Sequence, residues 1–208
     1  KINSQKNYFN ILKHKFLSKH NNVSNEEYFF SFFNKKVIFD NKHLANKNLI
    51  QWCLNKNYFK KKLDSSTEIF YEKDEMRAFE KLISDSKYFI DVGAQTGIYS
   101  LAAYQSENIQ KIVCIDITKE YIDAIKKNIQ INDFKSNKFE ILNSGIGSGT
   151  IHHKEWISKT VTSGYSFEDI LKITRLKLNE NDCMKIDIEG WEFFIAEKIG
   201  QFFKTNKP

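Results

Sequence analysis

The chain has 208 residues, enough for one domain with an appendage, or one and a half domains, around a sizeable core. Its net charge of +6 is unevenly placed: residues 1–63 carry 13 lysines against three acids, residues 64–86 carry an acidic excess, and the remainder balances. Only Arg77 and Arg175 among the 32 basic residues are arginines, the type best suited to forked phosphate and base contacts, so nucleic acid is not the expected partner; nor does any stretch approach the roughly 18 apolar residues of a transmembrane segment.

Residues 1–63 lack glycine and are rich in lysine and aromatics. Phe9, Leu12 and Phe16 recur at helical spacing, Trp52 and Phe59 more loosely, which predicts a mostly helical extension with one possible strand at 35–39, KKVIF. An accessory layer on the main domain, a substrate cover, a docking face and a membrane-surface helix all remain open for it. A short strand is possible at 67–71, TEIFY. Asp74 then offers an N-cap to a helix whose Met76, Phe79, Leu82 and Ile83 form one apolar face. The extension is assigned to residues 1–70 and the main domain to 71–208.

Residues 88–103, YFIDVGAQTGIYSLAA, organise that domain. Tyr88, Phe89, Ile90 and Val92 read as a buried strand with Asp91 near its carboxyl end, Gly93 and Gly97 bound a loop, and Ile98, Leu101 and Ala102 open a helix. KIVCID (111–116) is a second buried strand ending in Asp116, followed by a helix over 119–132 with Ile122, Ile125 and Ile129 on one face. KFEIL (138–142) is a third, leading into NSGIGSG, where three glycines in five residues mark a turning or closely approached backbone. Residues 150–167 hold no period and predict an irregular or hairpin-like insertion over the sheet edge. FEDILKITRLKL is a helix, CMKIDIEG (183–190) a fourth strand, and 191–203 a last helix with Phe194, Ile195, Ile199 and Phe202 on one side. This alternation predicts an α/β fold with a parallel sheet. Cys53, Cys114 and Cys183 lack metal-like spacing and suit a reducing cytoplasm. The chain begins at Lys1 and stops at Pro208, where the pattern calls for a further strand, so both ends are expected to be cut.

A strand, glycine loop and helix with a later acid is the general plan of a nucleotide site. Counting from Gly93, dinucleotide binding needs glycines at 95 and 98, where the chain has Gln95 and Ile98. Asp116 lies 19 residues beyond Gly97, near the spacing for a carboxylate that grips ribose hydroxyls. A nucleoside without phosphates fits both facts, and S-adenosylmethionine (SAM) is the commonest.

DVGAQTGIYSL, VCID, KKNIQIND and above all MKIDIEGWE resemble the motifs of the FkbM-type SAM-dependent methyltransferases, in the class I methyltransferase fold. The resemblance covers about residues 72–203, with its two principal motifs about 95 residues apart; residues 1–70 show none. Gln95 stands where the family usually has Asn, Asp116–Ile117 where it has Glu–Pro, and Ser166–Phe167–Glu168 where it has Thr–Leu–Asp. The resemblance implies a Rossmann-like sheet flanked by helices, four of its usual seven strands lying in this chain. It implies that Asp91, Gly93, Gln95 and Gly97 hold the methionine half of SAM, that Asp116, followed by Ile117, takes the ribose, and that Ser144 and Gly145 border the adenine. Asp187 and Glu189 would lie near the sulfonium and the acceptor, as the catalytic candidates; His152 and His153 are alternative bases. Each acid could instead simply cap a helix. No metal is expected. The implied activity is methylation of a hydroxyl on a sugar or other small polar metabolite. Transfer to nitrogen or to a macromolecule, or an inactive scaffold in a larger polypeptide, are the alternatives.

Overall fold

The computed structural model describes residues 27–55, 69, 71–147, 149–154 and 159–205. It opens on a hairpin of β1 (Glu27–Phe32) and β2 (Lys35–Asp40), joined through Phe33 and Asn34 at φ 47° and 56°, the two left-handed positions that suit a tight hairpin turn. The strand expected at 35–39 forms, but its partner falls where helix was expected. Tyr28, Phe30 and Phe32 are buried at alternate positions, so period two wins over the helical reading between 27 and 40. Helix α1 (Leu44–Asn55) follows. Phe9, Leu12, Phe16 and Phe59, with most of the possible strand at 67–71, lie outside the described residues.

Helix α2 (Lys73–Ile83) starts earlier than expected: Glu72 is its N-cap residue, at φ 40°, and Asp74 lies in the first turn, where it favours the helix dipole without capping. Met76, Phe79 and Ile83 are buried, whereas Leu82 is 66% exposed and falls off the stripe.

The central sheet has four parallel strands, β3 (Tyr88–Val92), β4 (Lys111–Asp116), β5 (Phe139–Asn143) and β9 (Cys183–Ile186), in the order β5-β4-β3-β9. Alternate residues feed two cores. Phe89 and Ile112 pack toward α3 (Ile98–Tyr104), α4 (Lys119–Ile131) and the aromatic residues of the hairpin, while Ile90, Val92, Val113 and Ile115 pack toward α5 (Phe167–Thr174) and α6 (Glu192–Thr205). Both faces are covered, as a parallel sheet requires. From β3 the chain winds outward through β4 to β5 and then returns to lay β9 on the other side of β3, so the winding reverses beside β3. In open α/β sheets that reversal is where ligands bind, at the carboxyl ends of the strands.

The insertion is a small sheet. β7 (Gly149–Lys154) and β8 (Lys159–Tyr165) form an antiparallel hairpin, and β6 (Gly145–Ile146) runs parallel to β8. Gly164 of β8 pairs with Gly145 on one side and Gly149 on the other. His152 and His153 fall on β7, and their side chains lie outside what is described. Among the described residues no helix is long and apolar enough to cross a membrane.

Candidate active site

At the reversal, β3 and β9 approach so closely that only glycine fits at 93. Asp187 N donates to Val92 O at 3.0 Å, and a Cβ on Gly93, at φ 74°, would stand 1.8 Å from Asp187 O. Gly93 N and Ala94 N both donate to Ile115 O, at 2.9 and 3.1 Å, which folds the loop over the end of β4. Gln95 (φ 47°) and Gly97 (φ 86°) turn it into α3. Gln95 N donates to Asp116 Oδ2 at 2.9 Å, and Thr118 N, at the N-cap position of α4, donates to Asp116 Oδ1 at 2.8 Å. Asp116 therefore does act at a helix start. Ser144 N donates to Asp116 O at 3.0 Å, and Asn143 Nδ2 to Ile117 O at 2.9 Å, bringing Ile117, Ser144 and Gly145 to the same end of the sheet.

Asp91 is 1% exposed and faces the α3 core, where Ser100 Oγ donates to its Oδ2 at 2.7 Å. Lys185, which the sequence reading left without a role, is its neighbour in register on β9. Its ammonium lies 3.7 Å from Asp91 Oδ1, 3.4 Å from Asp187 Oδ2 and 5.0 Å from the Tyr99 ring centroid. At 3.7 Å the Asp91 contact is an ion pair and not a hydrogen bond. Burial pushes the Asp91 carboxyl above its ordinary range, against the pull of Lys185 and Ser100. The signal for Lys185 was a lysine inside an otherwise apolar strand, CMKI, which must find a countercharge.

Tyr71 and Tyr99 wall the cleft opposite Asp187. Tyr99 OH donates to Glu72 Oε2 at 2.7 Å, and burial, with Glu72 beside them, raises both phenols. Asp187 lines the cleft, and its side chain is 51% exposed. Glu189 does not line it: at φ 57° it stands exposed on the turn outside β9. The carboxylate holding that turn is Glu192, whose Oε1 accepts from Ile188 N at 2.5 Å and whose carboxyl is kept low by that bond.

Among the described residues three buried side-chain oxygens have no hydrogen-bond partner: Asp91 Oδ1, Thr96 Oγ1 and Ser144 Oγ. All three sit at this end of the sheet. A buried polar atom without a hydrogen bond costs about 1–3 kcal/mol; Thr96 lines the cleft, whereas Asp91 Oδ1 faces the Lys185 ammonium across 3.7 Å. Thr96 sits between the glycines of GAQTG with no sequence signal of its own, since its carbonyl partner, Asn128, is 32 positions away. A larger groove of about 430 Å³, walled by Ile129, Phe134, Phe139 and Ile141, lies along α4 and the edge strand β5 and holds none of these groups.

A family model described as "Ribosomal protein L11 methyltransferase (PrmA)" matches residues 74–157. No curated protein matches the chain. Among solved structures, methyltransferase FkbM from Methylobacillus flagellatus KT is 19% identical at a TM-score of 0.41, over 60% of this chain and 32% of that protein. The chain thus spans about a third of that protein's length. The METTL16 MTase domain is 16% identical at a TM-score of 0.47, over 93% of this chain and 72% of that one. An O-methyltransferase from Bacillus cereus in complex with SAH is 11% identical at a TM-score of 0.44, over 79% and 62%.

Proposed function

We propose that the chain is a SAM-dependent methyltransferase of the FkbM type, acting on a hydroxyl of a sugar or other small polar metabolite. The observation that carries this reading is the glycine loop between β3 and α3, tied through Gln95 N to Asp116 at the end of β4, with the buried Thr96 Oγ1 and, after β5, Ser144 Oγ left without a hydrogen-bond partner. The donor set fits the cofactor. Asp116 offers carboxylate acceptors to ribose hydroxyls, Ser144 a hydroxyl beside the base, and Asp91 and Thr96 oxygens beside the loop that would take the methionine half. The match to a methyltransferase family model over 74–157 supports methyl transfer, the coarser part of this reading.

When bound, the cofactor supplies an electrophilic methyl group on a positively charged sulfur. A hydroxyl acceptor receiving that methyl group would have to give up its proton to a base of this chain. Asp187, open at the cleft mouth, is the residue placed to take it, a contribution of about 10²–10⁴-fold; Glu189, two residues on, is the second candidate. Alignment of the two reactants by the loop and Asp116 is the larger part, up to about 7–11 kcal/mol. The free thiols Cys53, Cys114 and Cys183 support action in a reducing cytoplasm.

The test is calorimetric titration of SAM and S-adenosylhomocysteine (SAH) into the chain and into Asp116→Ala, with NAD as control, followed by methyl transfer from labelled SAM to a panel of sugars and polyols. Binding of both sulfur nucleosides, lost in the variant and absent for NAD, is expected. Preference for NAD, or no nucleoside binding by the folded chain, rejects the reading. Binding without transfer to any acceptor favours the scaffold alternative.

A further inference from the structure

The N-terminal extension reaches the glycine loop through two buried amides. Asn46 on α1 and Asn128 on α4 are both fully buried and exchange two hydrogen bonds, Asn46 Nδ2 to Asn128 Oδ1 at 2.7 Å and Asn128 Nδ2 to Asn46 Oδ1 at 2.9 Å. The same Asn128 Nδ2 donates to Thr96 O at 2.8 Å. Both Nδ2 hydrogens are thereby used, one toward Asn46 and one toward the loop, so Asn46 fixes the rotamer in which Asn128 can hold Thr96.

We propose that Asn46 is a positioning residue for the cofactor loop, which makes the N-terminal extension a working part of the cofactor site. This rests on the function proposed above. Thr96 lies between two left-handed residues, Gln95 at φ 47° and Gly97 at φ 86°. A non-glycine residue in that region costs about 1–2 kcal/mol, so the loop keeps its shape only where its surroundings hold it. Its backbone carbonyl ends the amide ladder, while its hydroxyl is one of the three unpaired oxygens. The extension also reaches the cleft wall: Trp52 of α1 packs on Tyr71, ring centroids 5.3 Å apart, and Tyr71 packs on Tyr99 at 6.4 Å.

The amide at the C-cap of α4, which holds backbone and not the Asn128 side chain, serves as control. Asn132, one turn beyond Asn128, accepts from Ile38 N at 2.7 Å and donates from Nδ2 to Ile38 O at 2.8 Å and to the backbone carbonyl of Asn128 at 2.7 Å, leaving the Asn128 side chain untouched. It clamps the edge of β2 to α4 and makes no contact with the loop. If the extension merely docks, Asn46 and Asn132 are equivalent. If Asn46 positions the loop, only its loss reaches Thr96.

The experiment compares Asn46→Ala and Asn132→Ala in the full chain by amide hydrogen exchange of peptides spanning 93–98 and by calorimetry with SAM and SAH. Both variants are expected to lower the unfolding temperature. Only Asn46→Ala speeds exchange in the loop and weakens both nucleosides, by about 5- to 100-fold on the scale of ordinary couplings between sites; Asn132→Ala stays within about twofold. Should Asn46→Ala fail to fold, Asn46→Ser, which keeps a hydroxyl toward Asn128, gives the same comparison. Unchanged loop exchange in the Asn46 variants, or equal effects of Asn132→Ala, overturns the proposal. A wild-type chain that binds neither nucleoside yet shows the exchange effect rejects the proposed function and leaves the positioning role standing.

Discussion

Lys185 stands beside Asp91 on the adjacent parallel strand and divides its ammonium between Asp91 Oδ1, at 3.7 Å, and Asp187 Oδ2, at 3.4 Å. One of these carboxylates is sealed in the core and the other opens on the cleft, so the lysine joins the interior of the sheet to the cleft at its end. Its side chain is 18% exposed, which tempers the strength of the pair.

Loss of that countercharge is expected to act in a pH-dependent way. Burial raises the Asp91 carboxyl from its ordinary 3.8, so folding favours its protonated form. A raised group contributes stability that is complete below its unfolded value and is lost as pH rises through the folded one. Lys185→Met raises Asp91 further. Its deficit against the wild type should therefore be smaller at pH 5 than at pH 8 and no more than about 2–4 kcal/mol, somewhat under the cost of breaking a fully buried pair. Urea midpoints at the two pH values measure this, and equal deficits would refute it.

Gly93 and Gly190 both have positive φ, 74° and 94°, but only Gly93 is crowded. Gly190→Ala meets nothing within 4 Å and should cost about 1–2 kcal/mol of backbone strain alone. Gly93→Ala must push the end of β9 off β3, breaking the Asp187 N to Val92 O bond. It should cost more than about 3 kcal/mol and abolish cofactor binding. Denaturation midpoints of the pair are the check: a Gly93→Ala variant as stable as Gly190→Ala would mean that β9 yields freely.

The parts of the site that the sequence disclosed are those written in local patterns. Apolar runs located β3, β4, β5 and β9, and glycines located the loop, so Asp91, Asp116, Ser144 and Asp187 were each read at or near a strand end. Lys185, Thr96 and the Asn46–Asn128 pair escaped because their partners lie on other strands and helices; the two asparagines are 82 positions apart. Glu189 is placed near the acceptor by the family resemblance alone. The strand ends at Ile186, and Glu189 stands exposed on a left-handed turn beyond it, a backbone feature that the motif does not spell out. The hairpin at 27–40 was obscured by its own composition, since a run of adjacent aromatics carries helical and extended periods at once.

Thiol chemistry should report on the core. Burial pushes the Cys53 thiol to about 12 and raises Cys114 and Cys183, with Asp91 adding to the effect at the last two. Reactive thiolate is scarce at neutral pH in each case. Cys53 and Cys114, both fully buried, are expected to stay silent toward a disulfide reagent at pH 8 in the native chain and to react once denaturant is added. Fast labelling of either under native conditions would show that the α1 or α3 packing opens readily.

Helix α5 offers a test in which stability and function should separate. Ser166 caps it through a reciprocal box: its Oγ accepts from Asp169 N at 3.1 Å and donates to Asp169 Oδ2 at 2.7 Å, while Ser166 N donates to the same oxygen at 3.3 Å. The Ser166 hydroxyl, first among the causes, holds the Asp169 carboxyl below its ordinary 3.8. A depressed carboxyl gives stability above its unfolded value and loses it as pH falls through the folded one, so the box should weaken below about pH 4. Ser166→Ala removes one orphan-donor partner and should cost about 0.5–2 kcal/mol at pH 7, with a smaller deficit at pH 3. Ser166→Thr keeps the hydroxyl and should be close to neutral. Because α5 packs through Phe167 onto Phe202 and Phe203, on the face of the sheet away from Asp91 and Ser100, neither variant should alter SAM affinity. A loss of affinity in Ser166→Ala that Ser166→Thr restores would instead tie the insertion between β5 and α5 to the cofactor, since Ser166 directly follows the end of β8.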